Sequence, residues 1–516
     1  MANTGICNKC KKIVPVEHFQ RGGKEYLRKL CPDCGVGESL VSNDSVQYHK
    51  KRDFMAGREY PGCKMNCQHC NHRDPDLLFI ETTNRCNMNC PICITNVPSM
   101  KFQFEPNMEY FDKIFRHYAS FERRPHIQLF GGEPTMREDL FEIIELAQSY
   151  GFKVRLVTNG LRIADKAYAQ KVIDSGIVVQ VAFDGLRREM YAKLRNNEAS
   201  LDLKIKALEN LSGQKKRKVI LMTVLDKQFN ENDMPKFLEF CSKNQQIRGI
   251  FLMPLTQVWS QDVLEYKPER TTQEDVEHML ERAVYGKVEF VPLGSWEFNN
   301  LEKVFDQILW PFTGVHPNCE SFTYLIPQEG RYVCLSYYLK YGFFSLVTDL
   351  RTLDKRLEPY ASKPFGRYRK RWVYMQITKI FFKHWDFDAL IGAKGLRAFG
   401  RWTRFLFKLA IGKKLKDVLH QESTIKNYKG TLQILLLPFE DDDIVESDRL
   451  EKCTSCFAYI DVKTDKVKSI PFCIWEKFKH PIMLEMARKY NKQGYTQGLG
   501  QGEAQAQVRG TSNRVI

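Results

Sequence analysis

Cysteine spacing constrains this chain more than any other feature. It has sixteen cysteines, and all but Cys241 fall in groups. Cys7, Cys10, Cys31 and Cys34 form CxxC–x20–CxxC. Cys63, Cys67 and Cys70 form CxxxCxxC, and Cys86, Cys90 and Cys93 repeat that spacing. Cys319 and Cys334 make a looser pair, and Cys453, Cys456 and Cys473 close the series. The start, MANTGICNKC, lacks a charged-then-apolar leader pattern. No apolar run approaches the ~18 residues of a spanning helix. A cytoplasmic protein is therefore expected, and in a reducing compartment clustered cysteines bind metal rather than pair. Cys241, within PKFLEFCSKN, reads as a plain core thiol.

The length of 516 residues suits about three domains. With 43% hydrophobic and 27% charged residues the chain is globular, which excludes a disordered or collagenous protein. Its net charge of +16 suggests an anionic partner. There is no GxxxxGK[ST] phosphate loop, no GxGxxG after a strand and no serine triad.

The four N-terminal cysteines, two knuckles beside turn residues, suit tetrahedral zinc or a single rubredoxin-like iron. The choice between the two metals stays open. The sequence IETTNRCNMNCPIC places Cys86, Cys90 and Cys93 just past an apolar, β-rich strand, LLFIETT. In an α/β barrel, chemistry sits at that end of a strand. Three thiolates hold three irons of a [4Fe-4S] cluster, whereas an all-cysteine cluster uses four. One iron is then left open. Five more strands are expected in HIQLFGGEP (126–134), FKVRLVTNG (152–160), VVQVAFDG (178–185), RKVILMTVL (217–225) and IRGIFLMPL (247–255). Amphipathic helical stretches such as 137–150 alternate with them, which predicts a parallel α/β sheet.

With CxxxCxxC, GGE, TNG and FDG in this order, residues 76–260 resemble the radical S-adenosylmethionine (SAM) superfamily. The resemblance implies a partial (β/α)6 barrel whose cluster, on Cys86, Cys90 and Cys93, chelates the amino and carboxylate groups of SAM. It implies that Gly131 and Gly132 approach SAM through their backbone and that Glu133 helps hold its amino group. Thr158, Asn159 and Asp184, in the TNG and FDG turns, are further cofactor-site candidates. The implied chemistry is one-electron cleavage of SAM to methionine and a 5′-deoxyadenosyl radical, which takes hydrogen from unactivated carbon. A flavodoxin- or ferredoxin-type electron donor is implied as well.

The early CxxxCxxC, HPNC at 316–319 and PFC at 471–473 resemble a narrower group, tetraether synthase and the class D radical SAM methylases. Cys63, Cys67 and Cys70 supply three thiolates; Cys319, Cys334, Cys453, Cys456 and Cys473 supply five. Together they would complete two auxiliary [4Fe-4S] clusters, one C-terminal cysteine crossing over, with His72 as an alternative ligand. The expected cofactors are thus SAM, three [4Fe-4S] clusters and one mononuclear iron or zinc.

The substrate is approached through charge. Residues 363–420 hold fifteen Lys/Arg against three Asp/Glu, interleaved with aromatic residues. Arg397, Arg401, Arg404 and Lys408 recur at helical spacing, and Phe399, Trp402, Leu406 and Leu409 form an adjoining apolar side. Three readings fit: a cover over the barrel with a solvated basic face, a membrane-surface helix, or nucleic-acid binding. The expectation is a lipid or small-molecule substrate, peripheral contact with the inner membrane face, and no nucleic acid. C–C coupling of lipid alkyl chains is favoured, with methylation of a pterin-type or other small substrate as the alternative.

The expected order is a ribbon module (1–50), an auxiliary-cluster segment (51–75), the barrel (76–300) and a substrate or auxiliary-cluster segment (301–350). A basic aromatic region (351–430), a C-terminal auxiliary iron-sulfur region (431–490) and a disordered tail (491–516) follow. The acidic run EDDDIVESD (440–448) is expected to be a solvated loop.

Overall fold

The computed structural model describes residues 3–55, 65, 74–97, 100–214, 216–256, 268–305, 315–328, 331–360, 365–393, 395–410, 415–425 and 430–492. Cys63, Cys67, Cys70 and His72 lie outside the described residues, as does the tail beyond residue 492.

The N-terminal module is an antiparallel meander of β1 (Thr4–Ile6), β2 (Ile13–Arg21), β3 (Lys24–Cys31) and β4 (Gly35–Ser42). Gly22 and Gly23 join β2 to β3 at φ +59° and +74°. A two-residue hairpin loop of that hand matches strand twist and favours glycine. The module's buried apolar cluster is small, consisting of Val14, Val16 and Leu27 beside Cys7 and Cys31. So little core calls for a cross-link.

All six expected barrel strands form. They are β5 (Leu77–Thr83), β6 (His126–Gly131), β7 (Val154–Thr158), β8 (Val178–Ala182), β9 (Val219–Leu225) and β10 (Ile247–Pro254). Each pairs in parallel with the next. Every residue of β5 is buried, as expected of a parallel strand covered on both faces. The flanking helices show why they form. Met108–Ala119 buries Tyr110, Phe111, Ile114, Phe115 and Tyr118, a helical stripe, and the Asn107 side chain accepts from the Tyr110 N–H at its start. Each such side chain contributes about 1.5–3 kcal/mol through burial.

Later segments extend the same sheet to twelve strands. These are β11 (Val291–Pro292), β12 (Ser321–Gln328), β13 (Arg331–Cys334), β14 (Leu432–Leu436), β15 (Ser455–Asp461) and β16 (Lys466–Pro471). β14 lies parallel to β10, and β15 lies parallel to β5. β12 pairs antiparallel with β14, and β16 with β15. The sheet therefore runs on past both ends of the six-strand unit.

The acidic run differs from expectation. Glu440, Asp441 and Glu446 are buried, and each has a cationic partner. Arg449 lies 2.6 Å from Glu440, Arg270 3.0 Å from Asp441, and the His18 ring 2.8 Å from Glu446. Lys29 of β3 donates to the Asp442 carbonyl at 2.9 Å. The run is a docking seam for the N-terminal module. Apart from Arg449, these partners lie far away in sequence, which is why local composition suggested solvent.

The basic region forms helices Arg367–His384, Phe387–Ile391, Gly395–Ala410 and Leu415–Glu422. Val373 packs with Phe298, Leu301, Val304 and Leu353, and Leu390 with Ile326, Val333 and Tyr338. Phe405, Ile391 and Val418 make one small cluster, with Trp402 against it. Of the expected apolar side, Trp402 packs against Phe387 and Phe405, whereas Phe399 and Leu406 face solvent.

Candidate active site

The loop after β5 carries Cys86, Cys90 and Cys93, and its base is stapled in place. The Asn84 amide donates to the Phe102 carbonyl at 2.6 Å, and its oxygen accepts from the Phe104 N–H at 2.8 Å. Arg85 grips Glu105 through two bonds of 2.9 and 3.1 Å. All three thiols line one cavity of about 240 Å³. Burial pushes Cys86 up to about 12 and also raises Cys90, against the pull of nearby Arg195. Thiolate at this loop needs a compensating positive charge, which a metal supplies.

Gly131, Gly132, Glu133, Thr158 and Asn159 line the same cavity. Their roles can be separated. Gly131 has φ +131°, and a Cβ there would come within 2.4 Å of the Thr83 carbonyl. A Cβ at Gly132 would come within 2.3 Å of the Arg85 carbonyl. The Gly132 and Glu133 N–H groups donate to those same two carbonyls at 2.7 and 2.8 Å. Both glycines therefore let the turn after β6 clamp onto the cysteine loop, a demand of the protein's own backbone.

Glu133 is buried and ties two turns together. Its carboxylate accepts from the Thr135 hydroxyl at 2.6 Å, the Thr158 hydroxyl at 2.7 Å and the Asn159 N–H at 2.6 Å. It forms no ion pair within 4 Å among the described residues. Facing the cavity, it is a preorganised acceptor for an ammonium group, which fits the amino end of SAM. The Asn159 amide donates to Asn87 in the cysteine loop at 2.7 Å.

Asp184 reaches the site through another residue. It grips Arg195 through two bonds of 2.7 and 2.9 Å and accepts from the Val224 N–H at 3.1 Å. Burial raises this carboxyl, but Arg195 outweighs it and holds it below its ordinary range. Arg195 in turn lines the cavity, where its charge acts on Cys90. Lys204 is buried nearby and donates to the carbonyls of Asn159 and Ala182. Desolvation pulls it down to about 8. Neither cation was foreseen. The one clue was Asp184, a carboxylate at a strand end that needs a partner once buried.

Cys319, Cys453 and Cys473 line this cavity too. Cys319 is pushed up to about 12 by burial, opposed by Arg449. The Glu440 N–H points at the Cys473 sulfur at 3.5 Å. Cys456 is buried on β15, and the Cys453 thiol donates to the Ser455 carbonyl at 3.2 Å. Cys334 is placed differently. It is fully buried in the core, with its sulfur 3.2 Å from the Thr323 hydroxyl, and it does not line the cavity. The β12–β13 ladder packs Cys334 into the sheet.

The ligand atoms of Cys7, Cys10, Cys31 and Cys34 all lie within 4.8 Å of one another. That spacing suits one ion bound by four thiolates. Cys241 is the core thiol expected, buried on the helix Met234–Lys243, and burial raises it.

Residues 80–241 match the radical SAM superfamily. The chain carries a radical SAM domain. Residues 2–43, ahead of that domain, match the HMPTM N-terminal zinc ribbon domain. The 7,8-dihydro-6-hydroxymethylpterin dimethyltransferase of Methanocaldococcus jannaschii is 28% identical over 364 residues, covering 67% of this chain and 72% of that protein. The GTP 3′,8-cyclase of Nautilia profundicola is 32% identical over 191 residues, covering 35% of this chain and 57% of the cyclase. Among solved structures, Streptococcus suis SuiB bound to S-adenosylmethionine is 14% identical with a TM-score of 0.34, covering 52% of this chain and 68% of that one. That alignment is too loose to carry an argument.

Proposed function

We propose that this radical SAM enzyme methylates carbon on a small heterocyclic substrate of the pterin kind. One observation carries the reading: Cys86, Cys90 and Cys93 share a single cavity with Cys319, Cys453 and Cys473. A substrate held there lies between two candidate metal centres. The M. jannaschii dimethyltransferase supports the choice of reaction, since its similarity covers 67% of the chain and so extends well beyond residues 80–241.

In this reading Cys86, Cys90 and Cys93 would hold a [4Fe-4S] cluster, and Glu133 would hold the SAM amino group. Cys319, Cys453 and Cys473 would contribute to a second cluster, and the ribbon thiols would hold zinc or iron. When bound, the first cluster with SAM supplies one-electron cleavage of the S–C5′ bond and hence hydrogen abstraction from carbon. The chain's own residues do the rest. Asp184 orients Arg195, whose charge offsets that of the Cys90 ligand. Met88, Ile92, Phe130 and Phe251 give the cavity apolar walls, which exclude water from reactive species. A flavodoxin- or ferredoxin-type donor would deliver the electron.

The test is anaerobic turnover of the reconstituted enzyme with methyl-labelled SAM, a low-potential reductant and 6-hydroxymethyl-7,8-dihydropterin. Label in the pterin is expected. A Cys319→Ala variant should still form 5′-deoxyadenosine while losing methylated product. Wild-type turnover that leaves the pterin unlabelled overturns the reading.

A second reading, lipid alkyl coupling at a membrane face, rests on the helix Gly395–Ala410. Leu396 is 91% exposed and Phe407 64%, with Phe399 and Leu406 also outward. Arg397, Arg401, Arg404 and Lys408 run along a neighbouring face. This matches an interfacial helix attracted to anionic lipid. No described helix is long and apolar enough to cross a membrane. Sedimentation with phosphatidylglycerol vesicles, but not with phosphatidylcholine vesicles, is the outcome that favours it.

A further inference from the structure

We propose that Gln128, Arg155 and Gln180 form a recognition floor that reads the hydrogen-bonding edge of a flat, lactam-bearing heterocycle. The inference rests on the small-substrate reading above and names its substrate class. The three residues sit on the adjacent parallel strands β6, β7 and β8. Gln128 is in register with Arg155, and Gln180 with Val157 on the same strand as Arg155. All three line the cavity that the two cysteine trios share.

Most of the lining around them is apolar, with Leu77, Phe79, Met222 and Leu435 as examples. Two carboxamides are therefore out of keeping. Gln128 is 3% exposed and Gln180 is 0% exposed. The Gln128 Oε1 and both amide atoms of Gln180 have no hydrogen-bond partner among the described residues. Buried polar groups without partners are rare because each forfeits its bonds to water. Three such atoms on neighbouring strands at one cavity are the sort of cost retained for a ligand.

Chemistry narrows the ligand. A primary carboxamide presents one donor and one acceptor side by side. It pairs in two-point fashion with a ring edge that offers the complementary acceptor and donor, as glutamine does with adenine. A lactam N–H and C=O is such an edge. Arg155, whose Nη2 lies 3.1 Å from the His126 Nδ1, adds a donor-only guanidinium beside the two carboxamides. The apolar walls then cover the ring faces. A plain alkyl chain satisfies none of these groups, so the floor selects against it.

The test uses the reconstituted full-length holoenzyme. The probes are 6-hydroxymethyl-7,8-dihydropterin, guanosine and decanoate, with Kd by equilibrium dialysis and Tm by calorimetry. Wild type should bind at least one of the two heterocycles. Gln180→Leu should weaken that Kd about tenfold or more. It should also leave the ligand-free Tm equal to or above that of wild type, because it removes an unpartnered buried amide. A purely structural glutamine would move Tm downward and leave Kd alone. Gln180→Met, closer in shape, and Gln128→Leu serve if the first variant does not fold.

A Kd within twofold of wild type overturns the floor, as does binding of decanoate with neither heterocycle bound, or no heterocycle binding at all. A heterocycle whose binding depends on Gln180, but which takes up no methyl label, leaves the floor standing and removes only the methylation reading.

Discussion

The ribbon and the loop after β5 are both built from closely spaced cysteines, yet they make opposite kinds of site. In the ribbon, four ligand sulfurs crowd within 4.8 Å, on a module whose apolar core is five side chains including two of those cysteines. In the loop, three thiols line a cavity of about 240 Å³, on a sheet with a large continuous core. A full ligand set closes a metal and holds a fold, whereas an incomplete set leaves a coordination position for chemistry. Where the core is poor the metal stabilises the fold, and where the core is rich the metal is free to react.

That contrast can be broken most sharply by exchanging the damage. Cys86→Ala should reduce 5′-deoxyadenosine formation to background while thermal unfolding of the central sheet stays put. Cys10→Ser should leave 5′-deoxyadenosine formation in place while residues 3–42 lose their protection from hydrogen exchange. If Cys10→Ser abolished SAM cleavage with the sheet intact, the division of labour would be wrong. Metal removal probes the same point. Chelation should expose residues 3–42 to hydrogen exchange and leave β5–β10 protected, since structural zinc contributes on the order of 10 kcal/mol to small ribbons.

A smaller effect is expected at the cations beside the loop. Asp184→Ala strands the buried Arg195 and should cost about 3–5 kcal/mol in chemical denaturation. Asp184→Asn keeps the hydrogen-bonding shape and should cost less. Equal losses would argue against a charge pair.

The mildest test is pH. Burial lowers His18, but Glu446 and Glu25 outweigh it and raise it to about 9. Because this lies above the ordinary value of about 6.5, its stabilisation is complete below pH ~6.5 and is lost as pH rises through about 9. The contribution is about 3 kcal/mol. Ribbon docking should weaken over that window in wild type and be flat in His18→Gln, as followed by proteolysis of residues 3–42. The converse pH dependence would remove His18 from the seam.

Much of the site was legible because its signals are local. CxxC and CxxxCxxC are spacings that a single turn can satisfy, so Cys7 to Cys34 and Cys86 to Cys93 could be grouped on sight. The strands β5 to β10 announced themselves as short apolar runs, three of them leading into GGE, TNG and FDG. The roles of those turns were less legible. Gly131 and Gly132 answer to carbonyls at Thr83 and Arg85, and Asp184 answers to Arg195. The acidic run was misread for the same reason, since His18, Lys29 and Arg270 lie 171 or more residues away from their partners in it.

Read as a linear string, the chain already specified its local ligand groups, its alternating βα order and its apolar strands, because these depend on neighbours a few residues apart. Which distant groups meet was settled by folding. β14 comes to lie beside β10 and β15 beside β5, and this carries Cys453 and Cys473 to the cavity while the β12–β13 ladder holds Cys334 in the core. The pairing of Gln128, Arg155 and Gln180 across three strands was settled in the same way. Strand register is a property of the packed sheet, where all faces must be buried at once, and no short window of sequence contains it.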